Sequence, residues 1–224
     1  LSAEAVSRLR TYLRLGRALA PEEPLSDALT KSLLLLLAPL QFNERRLELA
    51  LTLSDVAPDV LAVQRTVGLL VNYLRRPHRV RVAPALRRAI ELEADVTRRL
   101  HLEMRLLWLL SDETADATAV EEGAALAARV LPRVQDPLTR STAFMFQGRC
   151  QEALGNGREA LASFDASIAL YPGHAQAYSN RGLLLHALGE PERALKDLLH
   201  YLDAEDRSRI DQRPALVGIW EIGR

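Results

Sequence analysis

Apolar residues recur along nearly the whole chain at spacings of three and four, which is the pattern of helices that bury one side. Residues 3–20 place Val6, Leu9 and Leu13 on one side, and the run Leu33–Leu37 covers most of the circumference of a helix at 26–38. Strand-like alternation is almost absent, and Pro, Asp or Asn stands at most of the joints. The pattern therefore predicts an all-α fold.

The predicted helices pair into five hairpins. The pairs are 26–38 with 43–56, 59–75 with 84–94, 96–111 with 118–131, 141–154 with 158–170, and 175–188 with 191–203. Asp95 and Thr118 are the predicted caps of two of these helices. The tail predicts one more helix that caps the last hairpin, from Pro214, Leu216, Ile219 and Trp220.

The last third of the chain repeats itself at a fixed interval. A first set of residues is followed 34 positions later by a matching set: Phe144, Gly148, Gly155, Ala160 and Phe164, then Tyr178, Gly182, Gly189, Ala194 and Leu198. Five matched positions at one interval indicate a duplicated structural element.

The repeated glycines have two predicted roles. Gly148 and Gly182 stand in mid-helix, where glycine costs about 1 kcal/mol relative to alanine. We expect that cost to be offset by a close approach of the partner helix, which would lay Ala160 or Ala194 against them. Gly155 and Gly189, by contrast, are predicted to end helices with a positive φ, and Pro172 to stop the helix before it.

This interval and pattern resemble the tetratricopeptide repeat (TPR), a helical hairpin that stacks on its neighbours. The resemblance is clear over residues 141–206, and the spacing of Pro58 and Gly68 repeats that of Pro172 and Gly182. It implies a right-handed superhelix. We therefore expect a single solenoid over 1–224, with N-terminal helices at 1–40, degenerate hairpins at 41–140, two clear repeats at 141–206 and a C-terminal capping helix at 207–224.

Composition narrows the classes of function. Lys plus Arg and Asp plus Glu balance at 29 each, so no bulk charge favours nucleic acid or a membrane surface. The longest fully apolar run, Leu33–Ala38, is shorter than the roughly 20 residues that span a bilayer. Cys150 is the single cysteine and is predicted to be a small buried residue. We predict a cytoplasmic protein, and the start at Leu1 suggests a piece of a longer one.

No arrangement of residues predicts catalysis, a cofactor or a metal site. The five histidines lack the His-Glu-x-x-His spacing, and there is no Gly-x-x-x-x-Gly-Lys loop. Gly155, Gly157 and Ala160 fit a loose dinucleotide motif, but a helix precedes them where that motif needs a strand. Glu91, Glu93 and Asp95 are predicted to form a solvated face. We therefore expect a protein that is not an enzyme.

One loop is dense in basic residues: Arg75, Arg76, His78, Arg79 and Arg81. Such a cluster can hold phosphate groups. No aromatic residues are interleaved with it, so a solvated turn, or pairing with Glu91, Glu93 and Glu103, is the favoured interpretation. Nucleic acid is therefore an unlikely partner, and this loop is its one candidate site.

The TPR resemblance implies a binding scaffold whose first helices line a concave groove for a peptide or helix of a partner protein. The expected groove residues are Thr142, Met145, Arg149, Glu152, Gln176, Ser179, Asn180, Leu183 and His186. Some TPR proteins hold acidic chaperone tails with a set of Lys, Arg and Asn side chains in the groove. In this chain only Arg149 and Asn180 stand at matching places, and the lysines are missing. Self-association remains open, and the alternative function is the regulatory region of a bacterial signalling or transcription-regulatory protein.

Overall fold

The computed structural model describes residues 44–70, 79–112 and 116–206, together with the single residues 4, 8, 11 and 74. These ranges consist of helices joined by short turns and loops and contain no strand, so the prediction of an all-α fold is confirmed. The helices are α1 (Glu44–Val56), α2 (Leu61–Leu69), α3 (Ala83–Leu92), α4 (Val96–Asp112), α5 (Ala117–Val130), α6 (Pro137–Ala153), α7 (Gly157–Leu170), α8 (Ala175–Ala187) and α9 (Pro191–Asp206).

The chain divides into two compact units, residues 1–109 and residues 110–224. In the first unit, α2 packs against both α1 and α3. In the second unit, α6 packs against α5 and α7, and α8 packs against α7 and α9. A single solenoid over the whole chain stays a prediction. The predicted N-terminal helices, and the capping helix with Trp220, lie outside the described residues.

Aspartates that the sequence analysis passed over begin two of the helices. The prediction that α6 begins at 141 was wrong by four residues: the Asp136 carboxylate accepts a hydrogen bond from the backbone N–H of Thr139 at 2.8 Å, and Pro137 occupies the first turn. At α5 the cap is Asp116 rather than Thr118, since the Asp116 side chain accepts the backbone N–H of Thr118. In both helices an aspartate that precedes the predicted start is the residue that caps the helix.

The predicted glycine turns are confirmed. Gly155 and Gly189 have φ of 79° and 80°. In the first turn the N–H of Gly155 donates to the carbonyl of Glu152 at 2.9 Å, and the N–H of Asn156 donates to that of Gln151 at 2.8 Å. These two bonds satisfy carbonyls left over at the end of α6. A left-handed residue thus reverses the chain between the two helices of each repeat.

The two mid-helix glycines allow close contact within each hairpin, as predicted, but the closest partners differ from those expected. A Cβ atom on Gly148 would lie 2.5 Å from Cε1 of Phe164, so the aromatic ring, and not Ala160, fills the notch. A Cβ on Gly182 would lie 3.0 Å from Cγ of Leu198 and 3.2 Å from the Ala194 carbonyl oxygen. Both large side chains are fully buried.

The same kind of contact occurs in the first unit. A Cβ on Gly68 of α2 would lie 2.7 Å from Cδ2 of Leu86 on α3. Leu86 is fully buried. The weak match to the repeat pattern at Gly68 therefore corresponds to a closely packed helix pair, α2 with α3, like the pairs α6 with α7 and α8 with α9.

Replacing Gly148 by alanine should lower the free energy of unfolding by about 1 to 3 kcal/mol, because the buried Phe164 ring cannot move away from the added methyl group. Gly157→Ala is the matched control: its Cβ would meet nothing closer than 3.6 Å, so we expect it to be neutral or stabilising by roughly 0.4 to 1 kcal/mol. Urea denaturation of the two variants measures the difference. Equal midpoints would contradict the close-packing account.

Candidate functional site

The nine predicted groove residues lie on α6 and α8, two helices of the second unit that contact each other. Glu152 and Gln176 are exposed, whereas Met145 and Ser179 are buried, at 5% and 1% exposure. The other five are half-buried: Thr142, Arg149, Asn180, Leu183 and His186. The predicted residues thus lie on two neighbouring helices, where some polar side chains are exposed and other members of the set are buried. That these residues bind a partner stays a prediction.

Arg149 has a structural partner. Its guanidinium donates to the Asp112 carboxylate at 2.7 Å, and the exposed fractions of the two side chains are 20% and 6%. Removing one member of such a pair leaves the other charge buried without compensation, which is strongly destabilising. Arg149 therefore links α6 to the end of α4, and its replacement would perturb folding as well as any binding.

Two groups beside Arg149 show the effect of the surrounding protein. Partial desolvation of its carboxyl raises the pKa of Glu152, although the residue as a whole is exposed and the nearby Arg149 charge opposes the shift. Burial likewise raises the pKa of the Cys150 thiol to about 11. Cys150 is fully buried, and a Cβ on Gly123 would lie 2.8 Å from its sulfur. The thiol is thus protonated at neutral pH and unreactive, which confirms the prediction of a small buried residue.

The α8 side of the set is partly taken up by the core of its own hairpin. Leu183 packs against Leu198 and Tyr201 of α9. The Asn180 side-chain nitrogen is buried and donates no hydrogen bond to any described residue. An unsatisfied donor of this kind costs about 1 to 3 kcal/mol. Of the other polar residues of the set on α8, Gln176 is exposed and His186 is half-buried.

A serine and histidine cluster, which sequence reasoning missed, joins α6, α7 and the loop before α8. Ser141 Oγ lies 2.8 Å from Nδ1 of His174 and 3.0 Å from Oγ of Ser167, and it donates to the Ser167 carbonyl at 2.8 Å. Both serines are fully buried. Because no substrate can reach either hydroxyl, the cluster serves packing rather than nucleophilic catalysis. Ser141 lies 26 residues before Ser167, and the three residues follow no recognisable spacing, so no motif signals the cluster.

A cavity of about 600 Å³ lies against α8 and α9 and was also missed. On its wall the Tyr178 ring lies 3.9 Å, centroid to centroid, from His200. Arg181 donates to both carboxylate oxygens of Asp197, at 2.7 and 2.8 Å, and to Asp165 at 2.6 Å. The hydrogen bonds to Asp197 make the largest contribution to raising the pKa of Arg181. The Arg181 guanidinium is therefore committed to an internal ion-pair network.

Two arginines of the basic loop are described, and both contact other parts of the first unit. Arg79 donates to the Leu74 carbonyl at 2.8 Å and lies 4.7 Å from the centroid of the Trp108 ring. Arg81 pairs with Glu48. Arg75, Arg76 and His78 lie outside the described residues.

The prediction of a solvated acidic face was wrong for Glu93, which is 3% exposed. It lies between α3 and α4, where its backbone carbonyl accepts hydrogen bonds from the Arg99 guanidinium. In the described part of the chain, no group of three or more His, Cys, Asp or Glu side chains could hold a metal ion. None of the helices in this described part has both the length and the apolar character needed to cross a membrane.

The His174 cluster predicts a pH effect on stability. Burial lowers the pKa of His174 below its ordinary value of 6.5, so the unfolded state binds the proton more tightly. The contribution of neutral His174 is complete above pH 6.5 and is lost as the pH falls towards the lowered folded-state pKa. We therefore expect wild type to lose more stability between pH 7.5 and pH 5 than His174→Asn, whose amide can replace Nδ1. Parallel curves of unfolding free energy against pH would contradict this prediction, because they would mean that His174 has the same pKa in the folded and unfolded states.

No protein-family model matches the chain, and no curated protein matches its sequence. Solved structures do match. The structure of YrrB, described as a TPR protein with an unusual peptide-binding site, aligns at a TM-score of 0.57 and 18% identity, over 96% of this chain and 97% of YrrB. That of MamA aligns at a TM-score of 0.51 and 14% identity, over 74% of this chain and 90% of MamA. This chain therefore has a TPR-like helical-repeat fold.

Proposed function

We propose that this chain is a protein–protein interaction scaffold that binds a peptide or a helical segment of a partner on the face formed by α6 and α8. The proposal rests on the mixture of exposed and partly buried side chains on that face. Exposed Glu152 and Gln176 and half-buried His186 lie on the same pair of helices as the half-buried apolar side chain of Leu183, whereas Met145 is buried. A surface of this mixed character suits a peptide that contributes both apolar and polar contacts.

The candidate nucleophiles also favour binding over catalysis. Cys150 and Ser141 are fully buried, so neither can meet a substrate in the folded protein. The similarity to YrrB, a TPR protein with an unusual peptide-binding site, supports the same conclusion by analogy of fold. The alternative of a regulatory region in a signalling protein stays a prediction.

Peptides selected from a random library against the intact chain test the proposal. Glu152→Arg and Gln176→Arg change exposed positions, so both variants should fold. Each should weaken the selected peptides by about tenfold, or roughly 1.4 kcal/mol, measured by fluorescence anisotropy. Arg149 is avoided because its loss would disturb the Asp112 pair.

Glu159→Arg makes the same chemical change as Glu152→Arg at an exposed position on α7, outside the proposed face, and serves as the matched control. It should bind the peptides like wild type. If the selected peptides bind the α6 and α8 variants as tightly as they bind wild type and the control, the α6–α8 face is not the binding site. A library that yields no binding peptide would contradict the proposal more broadly.

A further inference from the structure

One side of α9 is exposed and borders the cavity of about 600 Å³ that lies against α8 and α9. Four exposed residues of α9 line this cavity, and we call them the α9 face: Lys196, Leu199, His200 and Asp203. Their spacing of i, i+3, i+4 and i+7 places them on one side of the helix. Leu199 is 48% exposed, so a leucine lies in contact with solvent between a basic and an acidic residue.

The α9 face carries two charges that have no partner among the described residues. The arginines that line the same cavity, Arg181 and Arg193, are both paired with carboxylates of the second unit. The side chains of Lys196 and Asp203, by contrast, form no hydrogen bond or ion pair with any residue that the structure describes. They lie about 10 Å apart along the helix axis and do not reach each other. One positive and one negative charge are therefore available at the two ends of the α9 face.

The order of these groups makes the α9 face complementary to itself. When two identical helices pack in antiparallel directions about a twofold axis, residues at equal distances from the axis face each other. An axis between positions 199 and 200 sets Lys196 of each copy against Asp203 of the other, and Leu199 of each copy against His200 of the other. A parallel arrangement would oppose like charges instead. Charge therefore selects the antiparallel pairing.

From this pattern we propose that the α9 face binds a second copy of this chain in an antiparallel, twofold-symmetric dimer. The face presents a basic, an apolar and an acidic group in that order, and the same face in the opposite direction is its complement. Helix α9 has 16 residues and is about 24 Å long. A single pair of such helices offers less area than the roughly 800 Å² per partner of a standard stable interface. The dimer is therefore weak and depends on protein concentration.

Sedimentation velocity of the full chain over a series of concentrations tests the proposal. Wild type should shift reversibly from monomer to dimer as its concentration rises. Lys196→Glu would oppose two carboxylates at both symmetric contacts, and Asp203→Lys would oppose two ammonium groups there. Because each contact changes from attractive to repulsive, each variant alone should dimerise at least about tenfold more weakly than wild type.

An equimolar mixture of these two variants tests the antiparallel register itself. In the mixed dimer the carboxylate introduced by Lys196→Glu meets the ammonium group introduced by Asp203→Lys. At the other contact the native Asp203 of one chain meets the native Lys196 of the other, so both contacts are attractive again. The mixture should therefore recover most of the wild-type affinity, which neither variant has alone. A folding defect in either variant could not produce this recovery.

The controls are Arg158→Glu and Glu159→Lys, which make the same changes of charge at exposed positions on α7 and should dimerise like wild type. None of the nine predicted groove residues lines the cavity. Glu152→Arg and Gln176→Arg should therefore also leave the dimer unchanged, so that failure here is distinguishable from failure of the α6–α8 face. Circular dichroism checks that each variant folds; if Lys196→Glu does not, Lys196→Gln should weaken the dimer by a smaller factor.

Three results would overturn the proposal. The first is a wild-type chain that stays monomeric up to a concentration of about 1 mM. The second is dimerisation of Lys196→Glu and Asp203→Lys, each measured alone, with the affinity of wild type. The third is a mixture of the two variants that dimerises no more strongly than either variant alone, which would mean that the two copies meet elsewhere or in another register.

Discussion

The close contact between a side-chain-free position on one helix and a large buried side chain on the next is the constraint on which the rest of the structure depends. Phe164 occupies the space over Gly148, Leu198 occupies that over Gly182, and Leu86 lies similarly over Gly68. In each case the added Cβ would fall within 3.0 Å of a side chain that is fully buried. Close helix pairing, in turn, fixes which faces of α6 and α8 stay exposed to solvent.

Much of this fold could be predicted from the sequence because its signals are local. Helical periodicity and the turn glycines depend on residues close together in the chain, the 34-residue interval can be read by comparing the sequence with itself, and Gly155 and Gly189 have the positive φ that their positions require. Capping was less predictable. Asp116 and Asp136 displaced the expected starts because several polar residues near each joint can cap a helix, and sequence alone does not rank them.

The features that sequence reasoning missed depend on contacts between distant residues. The spacing of Gly148 and Phe164 does not reveal that the ring reaches the glycine, since that depends on the distance between two helices. Glu93 was predicted to lie on a solvated face, but it is buried between α3 and α4, where the Arg99 guanidinium donates to its backbone carbonyl. The ion-pair network of Arg181 with Asp165 and Asp197 joins three helices, and no spacing in the sequence marks it. Features of this kind could therefore be identified only after the packing of the helices was known.

A double-mutant cycle between Gly148 and Phe164 tests the central claim most directly. If the ring and the missing Cβ compete for the same space, Phe164→Leu should make room for the methyl group of Gly148→Ala. The two substitutions should then be non-additive, with a favourable coupling of about 1 kcal/mol or more in the free energy of unfolding. Strictly additive effects would show that the helices do not nest at this position, and the account of the repeat built on it would be wrong.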